Sequence, residues 1–141
     1  MRVKQAVLVA GIGLLAAAMP LIAHHSFAAE FDSTKAVSLQ GVVTKLDWMN
    51  PHIWIYLDTK DDSGTVAHWQ CEGGPPNALT RQGWSKDSLK ISDQVTIDGF
   101  RSKDGTNTCN ARSVKLPNGK SVFAGSAEDG GPSKRAPAPA Q

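Results

Sequence analysis

The sequence is poor in the residues that many enzymes and metalloproteins rely on. It has two cysteines, four histidines and one tyrosine among 141 residues. Cys71 and Cys109 do not form a C-x-x-C pair, so a structural zinc site is not expected. No serine lies in a G-x-S-x-G context, and no His-Asp pair is placed by sequence to activate one. We therefore predict a protein that is not an enzyme.

An excess of charge of one sign is also missing from the body of the chain. The formal net charge is +2, and Arg2 and Lys4 account for it. Without these two, the 15 Lys and Arg residues fall to 13 and balance the 13 Asp and Glu residues. A neutral surface gives no electrostatic footprint for nucleic acid or for an anionic membrane. The expected partner is a small molecule, a peptide or another protein, and not nucleic acid.

One uninterrupted apolar run is present, over residues 6–18. It follows Arg2 and Lys4 and precedes Pro20 and Ala23, which is the order of a secretory signal peptide. We predict a signal peptide over residues 1–23 and a periplasmic or secreted protein, with no stable membrane insertion after cleavage. A membrane anchor is the alternative, since the run approaches the shortest bilayer span. Cleavage after Ala28 is a second option for the cutting site.

Export would place Cys71 and Cys109 in an oxidising compartment, where disulfides persist. Two cysteines allow a single pairing, so one disulfide is predicted. Two separate buried thiols are the alternative, and zinc binding is less expected than either.

Alternation of apolar and polar residues predicts an all-β domain. We expect five strands, a short helix between the third and the fourth, and a short return through Val122 and Phe123. The strands are predicted over residues 36–48, 53–57, 65–72, 94–100 and 109–116, and the helix over residues 77–82. The alternation changes phase near Gly41, which suggests a bulge or bend there.

This order of elements is typical of an OB-like barrel, a small five-stranded Greek-key barrel. A β-sandwich fragment is the alternative, although five strands make a thin sandwich. The predicted core comprises Trp48, Ile53, Ile55, Leu57, Trp69, Leu79, Trp84, Leu89, Val95 and Ile97. We assign residues 24–35 to an N-terminal arm, 36–124 to the barrel and 125–141 to a disordered tail. In the arm, Phe27 and Phe31 are expected to lie together against the barrel.

The aromatic and polar face of strands two and three is the first candidate site. OB-like barrels often bind ligands on this face, and rings beside a few polar groups suit a sugar or a peptide. Because alternate residues of a strand share a face, the candidate ligand-binding residues are Trp54, Tyr56, His68, Gln70 and Glu72. The alternative is that some of these rings are core.

A metal site is the second candidate. Cleavage after Ala23 would give His24 a free amine, and an N-terminal histidine can chelate copper through its amine and ring nitrogens. A third nitrogen would come from His25, His52 or His68. His52 is the preferred ligand because it stands beside the turn at Asn50-Pro51. The sequence does not require any cofactor, and copper is the cofactor that these histidines could bind. The alternative is that these histidines only cap turns or extend into solvent.

Three blocks of sequence carry a family resemblance. They are AHHSFAAEFD at residues 23–32, WMNPHIWIYLD at residues 48–58 and EGGPPNALTRQGW at residues 72–84. With them the chain resembles small exported bacterial proteins that form a domain family of unknown function, over residues 24–124. The resemblance implies export and a single small β domain. It implies no activity, ligand or catalytic residue.

Overall fold

The structure is a computed structural model, and it describes residues 27–125. The strands are β1 (Phe31–Asp47), β2 (Trp54–Lys60), β3 (Val66–Glu72), β4 (Gln94–Ser102), β5 (Thr108–Lys115) and β6 (Ser121–Phe123); the helices are α1 (Phe27–Glu30) and α2 (Pro76–Arg81). The predicted all-β fold, with a helix between the third and fourth strands, is confirmed. The predicted signal peptide, His24, His25 and residues 126–141 of the predicted tail lie outside the described residues.

The strands form a barrel-like ring in the order β1-β2-β3-β5-β4. Neighbouring strands are antiparallel except β3 and β5, which pair in parallel through Gln70, Cys71 and Glu72 and close the ring. β6 extends the sheet beyond β5. The outer surface of β2, β3 and the start of β5 is therefore one continuous surface.

The first strand is longer than predicted and bends at a different place. It begins at Phe31, inside the predicted arm, because Phe31 pairs with Ser102 of β4. The register shifts between Val43 and Lys45, so the prediction of a bulge at Gly41 is wrong in its position. A Cβ at Gly41 would lie 2.5 Å from the Asp58 carbonyl oxygen. Glycine is needed there for the close approach of β1 to β2, and not for a bulge.

The core fills the ring, as the alternation predicted. Ile53, Ile55 and Leu57 have no exposed surface, and Trp48 and Trp69 are partly buried against the core. The other buried members that were predicted are Leu79, Trp84, Leu89, Val95 and Ile97. Burying each large aliphatic side chain contributes roughly 1.5–3 kcal/mol. The outward-facing residues of β2 and β3 are thereby left for other contacts.

The helix α2 lies in the segment between β3 and β4, and residues suited to a helix start and a helix end flank it. Pro76 stands at the start of the helix, where its missing N–H costs no hydrogen bond. Gly83 follows the helix with a positive φ of 93°, which glycine adopts without strain. The indole N–H of Trp84 then donates to the carbonyl of Phe123 at 2.8 Å. Among residues 27–125, no helix has the length and apolar character to cross a membrane.

The N-terminal arm is part of the folded domain. The ring of Phe27 stacks on Phe31 at 5.8 Å between centroids and meets Phe100 of β4 edge-on at 5.6 Å. Lys103 holds the arm from the other side, since its backbone N–H donates to Glu30 O and its ammonium to Ala28 O. The predicted contact between Phe27 and Phe31 is confirmed, and it places α1 on the outside of the ring.

Candidate ligand-binding groove

The residues predicted for the aromatic and polar face come together on the outside of the β2–β3 hairpin. The register sets Trp54 opposite Glu72 and Tyr56 opposite Gln70. It also sets Asp58 opposite His68. Directly opposed residues project to the same face of a sheet. All five predicted ligand-binding residues therefore share one surface, opposite to the buried Ile55, Leu57 and Cys71.

Two adjoining cavities lie along this surface and share Thr108, the first residue of β5. One cavity, of about 370 Å³, has Trp54 on one side and Lys103 and Asp104 on the other. The second, of about 270 Å³, is lined by Tyr56, His68, Trp69, Gln70, Thr106, Asn107 and Thr108. We call the pair the Thr108 groove. Trp54 and Tyr56 border its two halves, and Glu72 stands at its end beside Trp54.

A row of hydrogen bonds forms one wall of the Thr108 groove. The Gln70 side-chain amide donates to Thr108 Oγ1 at 3.1 Å, and the Thr106 hydroxyl donates to the same oxygen at 3.0 Å. The Thr106 hydroxyl also donates to Asp104 Oδ1 at 2.7 Å, so its single hydrogen is shared between the two oxygens. The row therefore connects the Gln70 amide with the Asp104 carboxylate, and Thr108 accepts from both sides.

The row ends at the carboxylate of Asp104, which accepts several hydrogen bonds. Its Oδ1 accepts hydrogen bonds from the Ser102 hydroxyl at 2.5 Å and from the Thr106 backbone N–H at 3.0 Å. The Ser102 hydroxyl is the largest influence, and together these donors hold the pKa of the Asp104 carboxyl below its ordinary value. At neutral pH the carboxylate keeps the donors of the loop oriented.

Arg101 fixes the loop that carries Asp104 and Thr106. Its guanidinium donates to Gly105 O at 2.7 Å and to Thr106 O at 3.0 Å. The same guanidinium lies 5.3 Å from the centroid of the Trp69 ring, within cation–π range. The β4–β5 loop is thus tied to β3, which keeps this wall of the groove in place.

A disulfide lies beneath the groove. Cys71 and Cys109 are joined, and they are the residues next to Gln70 and Thr108 in the parallel pair. The two cysteines are a disulfide and not the separate buried thiols or the zinc ligands that the sequence left as alternatives. Both have no exposed surface. The bond fixes the spacing of the two strands that supply the polar wall.

His52 and His68 each pair with a carboxylate on the neighbouring strand. His52 Nδ1 contacts Glu72 Oε1, and His52 is half-buried. His68 Nδ1 lies 2.6 Å from Asp58 Oδ1, and its side chain is 82% exposed. A carboxylate on Nδ1 orients the ring and directs Nε2 away, as in many metal-ligating histidines. His52 is the better supported of the two because its ring is less free to turn.

The described residues supply only part of a metal site. Within residues 27–125, no group of three or more His, Cys, Asp or Glu side chains could hold a metal ion. His24 and His25, the predicted partners of His52, lie outside the described residues. His52 is therefore the one preferred metal ligand whose position the structure gives.

The sequence did not identify the wall of the groove formed by the β4–β5 loop. The sequence predicts no site there, although Asp104, Thr106 and Thr108 place polar side chains at alternate positions. The expected OB-like order would have set the start of β5 beside β3, and with it Thr108 beside Gln70.

These features define a small all-β domain that carries one disulfide and an open groove on the outside of its ring. The chain belongs to the Family of unknown function (DUF6152), whose model matches residues 10–111. The predicted membership of an uncharacterised domain family is thereby confirmed. Comparison with curated proteins and with solved structures found no match.

Proposed function

We propose that the protein is an exported, non-enzymatic binding module with an OB-like barrel, and that it takes its ligand in the Thr108 groove. Export is supported by the order of charged, apolar and small residues in the first 23 positions. The OB-like assignment is supported by the ring order, by the parallel closure between β3 and β5, and by the helix between β3 and β4.

The observation that carries the proposal is that two cavities on the aromatic and polar face border the same residue, Thr108. Two cavities that share Thr108 run along the same surface as the half-buried rings of Trp54 and Tyr56. Exposed rings beside fixed polar groups are what a small-molecule or peptide site requires. The core does not require the rings of Trp54 and Tyr56, because Ile53, Ile55 and Leu57 already fill it from the inner side. Binding is therefore the role that this surface supports best.

The test is whether Trp54 serves binding and not stability. A panel of neutral oligosaccharides and extended peptides is titrated into isotope-labelled protein, and the amide and indole signals are followed by nuclear magnetic resonance. We expect a panel member to shift the signals of Trp54, Tyr56 and Gln70, and Trp54→Ala to abolish the response at an almost unchanged melting temperature. Ile91→Ala is the matched control, because Ile91 is an apolar residue, 72% exposed, outside the groove. A ligand that binds equally well to Trp54→Ala would contradict the proposal.

A periplasmic copper-binding protein is the second candidate, and the pairing of His52 with Glu72 favours it. That contact occupies Nδ1 and leaves Nε2 as the coordinating atom. Imidazole nitrogen suits copper, and an N-terminal amine on His24 or the ring of His25 would complete the set. Phe27 lies on Phe100, which pairs with Asn110, and Asn110 pairs with Glu72. The first described residue of the arm thus packs two strands away from Glu72.

Copper titration of two chains tests this candidate. One chain begins at His24, and the other carries one extra residue before it, which blocks the amine–imidazole chelate. We expect tighter binding by the first chain, and a loss of affinity in His52→Ala. His68→Ala is the matched control, since His68 also pairs with a carboxylate but stands at the far end of the hairpin. Equal affinity of both chains, or of His52→Ala and the wild type, would rule the site out.

A further inference from the structure

We infer that the ligand of the Thr108 groove is a neutral oligosaccharide; this inference rests on the proposed binding function and specifies it. Trp54 and Tyr56 stand two residues apart on one face of β2, both half-buried. Their rings are apolar surfaces on which the C–H faces of sugar rings pack. Sugar hydroxyls in turn require fixed hydrogen-bonding partners at the edge of such a ring.

The row of hydrogen bonds in the groove supplies partners of both kinds. The Thr106 hydroxyl directs its single hydrogen to Asp104 and Thr108, so its oxygen acts as an acceptor towards a ligand. Thr108 accepts from Gln70 and Thr106, so its own hydroxyl hydrogen can be donated to a ligand. The Gln70 carbonyl oxygen is a further acceptor. A wall of fixed donors and acceptors suits a ligand whose groups both donate and accept, and sugar hydroxyls are groups of that kind.

The charged groups beside the groove have partners within the protein. The Lys103 ammonium donates to Ala28 O, and the Arg101 guanidinium donates to the β4–β5 loop and lies over Trp69. The Asp104 carboxylate receives three donors from Ser102 and Thr106.

Two further groups stand on the Tyr56 side. The Lys45 ammonium, 5.0 Å from the centroid of the Tyr56 ring, donates to Asp47, and His68 is paired with Asp58. Because each of these charges is matched within the protein, the groove favours a neutral ligand.

An extended peptide fits this part of the surface less well. Peptides that bind to sheets usually add a strand at an open edge. Beside the groove that edge is filled, because the Gln70 N–H donates to Asn107 O at 3.1 Å and β5 pairs with β3 from Gln70 onward. A ligand in the groove contacts side chains on the face of the sheet, which a chain of sugars can do without any main-chain hydrogen bonds.

Calorimetric titration of the chain beginning at His24 tests the inference, with cellohexaose, maltohexaose and chitohexaose as neutral probes and an oligogalacturonate as the acidic comparison. We expect a neutral probe to bind, and Trp54→Ala and Thr108→Val each to weaken binding by about tenfold or more. Thr108→Val keeps the shape and the strand preference but removes the hydroxyl that links Gln70 to Thr106. Thr96→Val, a half-buried threonine of β4 outside the groove, is the matched control and should bind as the wild type does.

The outcomes separate the ligand class from the binding function. If no neutral probe binds, the saccharide class is wrong. If in that case the acidic probe or an extended peptide binds and Trp54→Ala removes that binding, the groove is still a binding site. If a neutral probe binds equally well to wild type and Trp54→Ala, the groove itself is wrong. Circular dichroism melting of each variant shows that it is folded, so that a lost signal reports binding.

Discussion

Cys71 and Cys109 stand directly opposite each other in the parallel pairing of β3 with β5, and a disulfide joins them. This pairing involves only three residue pairs, yet it is the one that closes the ring. The bond spans 38 residues of sequence, so it removes a large set of open conformations from the unfolded chain. In the chain-entropy description, a loop of this length contributes about 3–4 kcal/mol.

Removal of the disulfide is therefore expected to lower the free energy of unfolding by about 3–4 kcal/mol. The variant is the double substitution Cys71→Ala with Cys109→Ala, and urea titration measures the change. A reductant should destabilise the wild type by a comparable amount and leave the double variant unaffected. The reductant reaches the buried disulfide when the wild type unfolds during the titration. If it then leaves the free energy of unfolding unchanged, the disulfide does not stabilise the closed ring.

Two positions on opposite faces of β2 should lose very different amounts of stability on truncation. Leu57 has no exposed surface, so Leu57→Ala should cost about 2–5 kcal/mol of unfolding free energy. Trp54 lies on the outer face, and Trp54→Ala should cost about 1 kcal/mol or less. Denaturant titration of both variants checks the difference. A loss of several kcal/mol on Trp54→Ala would show that this ring is part of the structure's support and not a free binding surface.

Gly99 should not tolerate a side chain. It lies at the irregularity in the β4–β5 pairing, and a Cβ there would come within 2.0 Å of the Asn110 carbonyl oxygen. Since that oxygen belongs to the backbone, one of the two strands would have to move. We expect Gly99→Ala to cost about 2–3 kcal/mol, measured as the shift in the urea midpoint. Gln40→Ala, at an exposed position of β1, is the comparison and should change stability little.

The Asp104 carboxyl should titrate below its ordinary pKa, and Ser102→Ala should raise that pKa because it removes the largest of the influences that lower it. Side-chain carbon shifts followed against pH measure both values. The pKa of Asp61, lowered chiefly by Ser63, should stay where it is in the same variant. Because the folded-state pKa lies below the unfolded one, the carboxylate stabilises the fold above the unfolded pKa, and this contribution is lost as the pH falls through the folded pKa.

If the proposed signal peptide is cleaved, the folded arm favours a cut before Phe27. Cleavage after Ala28 would remove Phe27, which packs on Phe31 and Phe100, and the carbonyl that accepts from Lys103. Mass spectrometry of exported protein is expected to give a chain beginning at His24. A chain beginning at Ala29 should lose about 2 kcal/mol of stability relative to it, from the lost ring contacts and buried area. A mature protein that begins at Ala29 and melts at the same temperature would contradict this prediction.

Much of the fold could be predicted because β2 and its neighbour β3 follow a regular alternation. Ile53, Ile55 and Leu57 alternate with Trp54 and Tyr56, so both the buried and the outer face of β2 can be assigned from the pattern alone. Cys71 falls in the buried phase of β3, and the only other cysteine is its partner. Local pattern and simple counting were sufficient at these positions.

The parts that were missed depend on contacts between distant segments. The start of β1 at Phe31 follows from its pairing with Ser102, 71 residues further along the chain, and no local signal marks it. The register shift in β1 lies just after Val42, where the pairing of β1 with β4 ends and only its pairing with β2 continues. Thr108 became a candidate only when the parallel pair placed it beside Gln70. Alternation assigns the faces of a strand but does not say which strand will lie next to it.

The polar row has an amide, that of Gln70, at one end and a carboxylate, that of Asp104, at the other, so the two ends of the groove are inequivalent. An oligosaccharide also has two different ends, one reducing and one non-reducing. A ligand of that kind would therefore be held in a single orientation. A sugar that carries a paramagnetic label at its reducing end would broaden the signals of one half of the groove and leave the other half sharp.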